Sequence, residues 1–341
     1  MSTDTRLNFP IDDIPKNGES LKIADGLTWV RMPLPMSLNH INLWLIGENH
    51  DQTLVDTGMH LPEVVEKWTA LINKESFSIK RVFITHMHPD HVGMGGWFVD
   101  QHNCEFMMSR TDYLQCRVLS ADKTGNVPQV AIDFYKKAGM REEALERYVS
   151  RFGFFGSIIY PLPSSYQRVK GGDILNFGER EWTVLEGSGH TMEHLCLYSL
   201  DEEYLISGDQ ILPTISSHVG VFPTEPEANP LEDWINSCKR LKSQVNEEVL
   251  VLPAHGRPFI GAHKRLDALI NLHEANLESL YDLLKEPRKA TETFSVLFNR
   301  EIDENNFLMA LGESLAHLNC LEQRGSISKD LIDGVYHYEA N

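Results

Sequence analysis

The segment Thr85-His86-Met87-His88-Pro89-Asp90-His91 puts three imidazoles and a carboxylate within six residues, directly after the apolar run Arg81–Thr85. A strand followed by a tight turn lets His86 and His88 project the same way, while Asp90 and His91 swing in from the turn and the start of the next helix. Neutral imidazole and carboxylate are ligands for zinc, iron or manganese. A solvated, His-rich loop is the bland alternative. Four potential ligands at this spacing behind a buried strand speak against it.

Three later positions share one local pattern, a polar side chain beside glycine at the expected end of a strand. They are His190 in Gly187-Ser188-Gly189-His190-Thr191, Asp209 in Ser207-Gly208-Asp209 and His255 in Pro253-Ala254-His255-Gly256. Glycine lets the backbone turn sharply enough for the neighbouring side chain to reach inward. Each alone is a weak signal, but with the first motif they form a ligand set. His50, His102, His263, His273, His317 and His337 read as helical or surface residues without partners. His194 reads as support for the His190 loop, and the sequence leaves His40, His60 and His218 undecided.

Around these positions the chain alternates in character. Leu27–Arg31, His40–Ile46 and Thr53–Val55 read as strands, Leu61–Asn73 as a helix, His91–Gln101 as another helix and Cys104–Met108 as a strand. From Ser109 to about Ser165 the pattern changes: Pro128–Arg151 has helical spacing, and Phe152, Phe154, Phe155 and Tyr160 form an aromatic loop. Strands resume over Asp173–Leu185, Leu195–Ser199, Tyr204–Ser207 and Val249–Leu252. A strand block, a helical interruption and a second strand block imply two sheets with an insertion at about 109–165. Ala262–Lys285 is an amphipathic helix, and Glu286-Pro287 ends it. We therefore expect a large domain over 1–285 and a small one over 286–341. The small one has helices at Thr291–Phe298 and Asn305–Arg324 and a hairpin turning at Asp333-Gly334, a winged-helix-like order.

Composition narrows the partners. The net charge of -18, from 31 basic and 49 acidic residues, repels phosphate backbones. From Arg288 to Asn341 there are five basic and nine acidic residues, so nucleic acid is not the expected partner of the tail. Cys104, Cys116, Cys196, Cys238 and Cys320 are too scattered for a disulfide framework or a thiolate zinc site. No run approaches the roughly 20 apolar residues of a membrane span, and Met1–Pro15 lacks signal-peptide character. A cytoplasmic protein acting on a small molecule is the expectation.

The motif His86-x-His88-x-Asp90-His91 with later His190, Asp209 and His255 resembles the metallo-β-lactamase superfamily. That resemblance implies an α/β fold, the αββα sandwich. It implies two divalent ions, zinc by preference with manganese or iron as alternatives. His86, His88 and His190 would hold one ion, Asp90, His91 and His255 the second, and Asp209 would bridge them. Asp56, in Val55-Asp56-Thr57-Gly58, matches a position that braces the site from behind the ligands.

The all-nitrogen-and-oxygen ligand set is similar to the glyoxalase II type. It differs from β-lactamases with a Cys ligand and from flavodiiron proteins, which carry Glu where this chain has His88. The tail, from Leu252-Pro253-Ala254-His255-Gly256 through Ala310-Leu311-Gly312-Glu313, resembles the β-lactamase-like protein 2 group. The implied reaction is attack of a metal-bridging hydroxide on an ester or thioester carbonyl of acyl-CoA or glutathione type, with Asp90 orienting the nucleophile. Arg168, Lys170 and Arg257 are the candidate cations at the cleft, and the aromatic loop is a candidate acyl pocket. A metal-dependent endoribonuclease or phosphodiesterase, a single-iron oxygenase similar to persulfide dioxygenases, and a non-catalytic winged-helix regulator are the other readings. A homodimer is the assembly that family habit implies.

Overall fold

Strand β1 (Glu19–Ala24), β2 (Leu27–Pro33), β3 (His40–Ile46), β4 (Gln52–Val55), β5 (Ile79–Phe83), β6 (Glu105–Met108) and β7 (Gln167–Arg168) form a seven-stranded sheet in that order. The chain is seen in a computed structural model that describes residues 7–36, 38–48, 51–201 and 203–341. The first six residues, Asn49 and His50, on which parts of the sequence reading fall, lie outside the described residues. Pairing is antiparallel from β1 to β4 and parallel from β4 to β7. Each parallel step needs a crossover. Helix α1 (Pro62–Glu75) makes the first, and α2 (Pro89–Val92) with α3 (Gly95–His102) the second. The third is the insertion, α4 (Arg110–Ala121), α5 (Gln129–Lys137) and α6 (Glu142–Arg151).

The second sheet contains β8 (Ile174–Phe177), β9 (Arg180–Gly187), β10 (His194–Ser199), β11 (Tyr204–Gly208) and β12 (Leu250–Pro253), in the order β12-β11-β10-β9-β8. Only β11 and β12 run parallel, and α7 (Pro230–Gln244) joins them. Helix α8 (Ala262–Leu283) follows. The sheets face each other across a core built from alternate residues of their strands. Leu27 and Trp29 of β2 and Trp44 and Ile46 of β3 point inward with Trp182, Leu195, Leu197 and Ile206. Trp29 and Trp44 are register partners whose rings stack at 5.7 Å, an arrangement that adds about 1 kcal/mol beyond its buried area. The alternate residues Val30, Met32, Ile41 and Leu43 face the other way, against Trp68 of α1 and Phe98 of α3. On the far side, Trp234 of α7 and Leu266 and Leu277 of α8 cover the second sheet. The layers are helix, sheet, sheet and helix, as expected.

Several boundaries differ from the sequence reading. The expected strand Asp173–Leu185 is a hairpin, β8 and β9, turning at Gly178-Glu179 with φ of +62° at the glycine. The expected helix Pro128–Arg151 breaks into α5 and α6 at Gly139, and His91–Gln101 breaks between α2 and α3. Helical periodicity continues through both breaks, so the pattern alone does not reveal them. β1 and β7, at the edges of the first sheet, carry little burial signal.

At the C-terminus, β13 (Arg288–Lys289) precedes a 3₁₀ turn and the one-turn α9 (Phe294–Leu297), where a full helix over Thr291–Phe298 was expected. Helix α10 (Phe307–Gln323) and the hairpin β14 (Ile327–Ile332) with β15 (Val335–Ala340) follow the expected order, and Asp333 and Gly334 both take positive φ at the turn. α10 is buried on nearly every face because Leu311, Leu315 and Leu318 enter the same cluster as Trp234 and Leu280.

Candidate metal centre

Five strand ends meet at one edge of the sandwich. β4 ends just before Asp56, β5 just before Thr85-His86, β9 just before His190, β11 just before Asp209 and β12 just before His255. The two sheets are tied together here. Leu195 N–H donates to the Thr85 carbonyl across 2.8 Å, and Asn42 N–H to the Ala254 carbonyl across 2.7 Å. The buried Asn42 amide also donates to the Pro253 and Gly256 carbonyls and accepts the Trp29 indole N–H at 2.9 Å. Glycine is required where Asp209 turns inward: at Gly208, φ is +50° and a Cβ would stand 2.7 Å from the His194 ring.

All seven expected ligand residues converge. His86 Nε2 lies 2.9 Å from His88 Nδ1 and 3.3 Å from His190 Nε2, and the latter two are 3.0 Å apart. Three protons cannot serve three mutually facing nitrogens, whereas nitrogens about 2.05 Å from one tetrahedral ion stand about 3.3 Å apart. Beside them, His255 Nε2 is 3.3 Å from Asp90 Oδ2 and 3.4 Å from Asp209 Oδ1, and His91 Nε2 is 3.6 and 3.5 Å from the same two oxygens. Asp209 faces both groups, since its Oδ2 lies 3.4 Å from His190 Nε2. His86, His88 and His190 make one compact donor set, and Asp90, His91 and His255 another. The buried His91 Nε2 and Asp209 Oδ1 have no hydrogen-bond partner among the described residues. Orphaned lone pairs aimed at one point fit a cation, and the residues present could hold metal.

Four of the five imidazoles are turned by their other nitrogen. His91 Nδ1 donates to Asp56 Oδ2 at 2.7 Å, His190 Nδ1 to the His218 carbonyl at 2.7 Å and His255 Nδ1 to the His40 carbonyl at 2.9 Å. His86 Nδ1 donates to Thr85 Oγ1, which donates to Asp56 in turn. In these four Nε2 is left facing the cluster, whereas His88 presents its Nδ1. Burial and the neighbouring imidazoles hold His86 well below its ordinary range and His88 at about 3. Burial opposes charge on His91 too, but the Asp56, Asp90 and Asp209 carboxylates outweigh it and raise its value. Asp90 is drawn down to about 2, because its neighbours His91 and His255 overcome the cost of burial.

The undecided histidines contribute in unequal ways. His40 and His218 serve the cluster through their carbonyls, while His60 packs edge-on against Tyr160. His194, expected to support the His190 loop, instead holds the turn after β11, its Nε2 accepting the Asp209 N–H at 3.1 Å. Four histidines expected to lack partners have them, which local periodicity cannot reveal: His263 contacts the Val245 carbonyl, His273 lies between Ser216 and His317, and His337 contacts the Val335 carbonyl. The cations expected at the cleft are also corrected. Arg257 turns away to the Ile11 carbonyl and Asp12, and neither Arg168 nor Lys170 lines the cavity. Arg141, Arg147 and Arg151 do, and Arg147 is paired with Glu304. Asp112, Thr85 and Asn42 are structural contributors for which the sequence carried no usable signal.

The cavity beside the centre has a volume of about 1310 Å³. His88 and His190 stand at its floor; Leu114, Tyr135, Tyr148 and Phe155 of the insertion and Leu308 of α10 are among its walls. Phe152 and Phe154 also line it, whereas Tyr160 does not.

With this geometry in hand, comparison with known proteins is decisive for the class. The Metallo-beta-lactamase superfamily profile matches residues 37–255, and that of the Metallo-beta-lactamase-like, C-terminal domain matches residues 277–341. The chain belongs to the metallo-beta-lactamase superfamily, and it is an enzyme of that hydrolase class. It superposes with a TM-score of 0.91 and 34% identity on a beta-lactamase domain protein from Burkholderia ambifaria, over 98% of both chains. It is 24% identical over 313 residues to the probable metallo-hydrolase YqjP of Bacillus subtilis (strain 168), covering 88% of this chain and 93% of the relative. It is also 24% identical over 251 residues to the Homo sapiens acyl-coenzyme A thioesterase MBLAC2, covering 70% and 80%.

Proposed function

We propose that this enzyme hydrolyses thioesters or esters of the acyl-CoA type at a glyoxalase II-like centre of two divalent ions, zinc by preference. In this reading His86, His88 and His190 hold one ion, Asp90, His91 and His255 the other, and Asp209 lies between them. The observation that carries it is the apolar cavity opening on His88 and His190, which suits an acyl chain laid against a metal-held carbonyl. The thioesterase named among the relatives adds support.

Bound ions would supply Lewis acidity toward the oxygen that gains charge, and hydroxide at neutral pH. The chain's own residues do the rest. Asp90, ionised at neutral pH, orients the attacking nucleophile. His91, His190 and His255 keep their Nε2 lone pairs on the centre through their Nδ1–H bonds. A thiolate leaving group needs little acid help, because thiols ionise near about 8.5.

The tail supports a packing role more than nucleic-acid binding. Arg324 is held by Glu232 and Glu274, and Lys329 by Glu227 and Glu322. The division into 1–285 and 286–341, with a winged-helix-like second part, belongs to the same proposal, supported by the order of α10, β14 and β15. Among the described residues no helix is long and apolar enough to cross a membrane.

Val118 lines the cavity from α4 and is 57% exposed, so a larger side chain there narrows the cavity without entering the core. Val118→Trp is expected to lower kcat/KM for long-chain acyl-CoA by about tenfold, while short-chain turnover changes little. An unchanged chain-length profile would remove the cavity from the acyl site.

A further inference from the structure

Helix α4 belongs to the insertion, yet it sends one carboxylate under the metal centre. Asp112 is wholly buried. Its Oδ2 accepts the Met87 N–H at 3.0 Å, and its Oδ1 accepts the Glu193 N–H at 3.2 Å. Met87 stands between His86 and His88 on the loop after β5. Glu193 stands three residues after His190 on the loop before β10. One side chain therefore grips both loops that supply the three-histidine group, one from each sheet.

The grip is reciprocal. Glu193 Oε2 accepts the Thr111 N–H at the start of α4, at 2.7 Å, and Cys116 Sγ contacts the Met87 carbonyl at 3.4 Å. Both polar groups of the Met87 peptide are thus taken up by α4. An acidic residue in a helix's first turn ordinarily faces water and its own N–H groups. Here the carboxylate is spent on two other segments, at the desolvation cost of a buried charge. That cost is offset only if both N–H groups are met, and the pair of bonds fixes one loop relative to the other.

We propose that Asp112 is a positioning residue that sets the spacing of His86 and His88 against His190, so that the insertion holds the metal centre as well as walling the cavity. The inference rests on reading those three histidines as metal ligands. Asparagine at 112 keeps the volume but presents an NH₂ to one of the two backbone donors. It can therefore hold one loop and not both.

The test is zinc titration of the metal-free full-length chain against a chromophoric chelator, for wild type, Asp112→Asn and Glu193→Ala, with the absorption spectrum of the cobalt-loaded forms as a second readout. Wild type should take up two ions. Asp112→Asn should bind the tighter one about 10- to 100-fold more weakly, with a changed cobalt spectrum. Glu193→Ala, which loosens the seat of α4 without touching the carboxylate, should move both readouts the same way by a smaller factor. It also keeps the test open if Asp112→Asn fails to fold. A wild type that binds no ion would overturn the ligand reading itself. A wild type with two ions, beside variants of unchanged affinity and spectrum, would overturn the role of Asp112 alone.

Discussion

Asp56 Oδ2 and His91 Nδ1 lie 2.7 Å apart, with both side chains sealed from solvent. The same carboxylate accepts the Thr85 N–H at 2.8 Å and the Thr85 hydroxyl. Asp56 is held at a positive φ of 59° at the end of β4, a conformation that costs a non-glycine residue free energy. Three bonds to one buried carboxylate fix the His91 tautomer and the ring's direction. Asp56→Ala should leave the ligand set intact but weaken the second ion by about 10- to 100-fold, as read by metal titration. Equal affinity in the variant would mean that the His91 ring needs no such brace.

Metal removal should destabilise the fold. Five imidazoles and two carboxylates stand at the seam where the two sheets meet. A ligand that binds only the folded state stabilises it by about 2.7 kcal/mol at a hundred times its Kd. A chelator should therefore lower Tm, and zinc or manganese should restore it. A Tm indifferent to chelator and to added metal would count against the centre.

Acid stability offers a test away from the centre. His273 and His317 are buried 3.4 Å apart; His273 Nε2 accepts the Ser216 hydroxyl, and His317 Nδ1 donates to the Glu313 carbonyl. Burial pushes His273 down to about 3 and His317 to about 4, from an ordinary 6.5. Below pH 6.5 the unfolded chain binds protons that the folded chain refuses. Stability is thus full above 6.5 and falls as pH drops toward the folded values, by about 1.4 kcal/mol per unit for each histidine. Between pH 7.5 and 5, urea unfolding of a His273→Gln/His317→Gln variant should lose roughly 4 kcal/mol less than wild type. Parallel losses in the two proteins would contradict the assignment.

The candidate ligands were legible through residue type and spacing: His88 and Asp90 flank Pro89, and His190, Asp209 and His255 each adjoin a glycine, while His86 and His91 complete the cluster. Asp56 was legible through the resemblance that His86, His88, Asp90 and His91 opened. What turns those ligands was not. His40 and His218 act through carbonyls, which any residue would supply, and Asn42 meets Pro253 across 211 residues of sequence. Asp112 looks like an ordinary first-turn acid until the two loops are seen around it. In the fold, buried strands stood out where both faces are apolar, as in β3, while the edge strands β1 and β7 left little pattern. The hairpin at Gly178 is signalled by its glycine alone, while the apolar residues on either side run on as in a single strand.

The most direct test of the account is thiol release from a panel of acyl-CoA and glutathione thioesters, using protein shown to carry two zinc or manganese ions. Wild type should release thiol from at least one acyl class, and Asp90→Ala at matched metal content should lose that turnover by several orders of magnitude. No release from any thioester by the two-ion protein, or full turnover in the Asp90 variant, would contradict it.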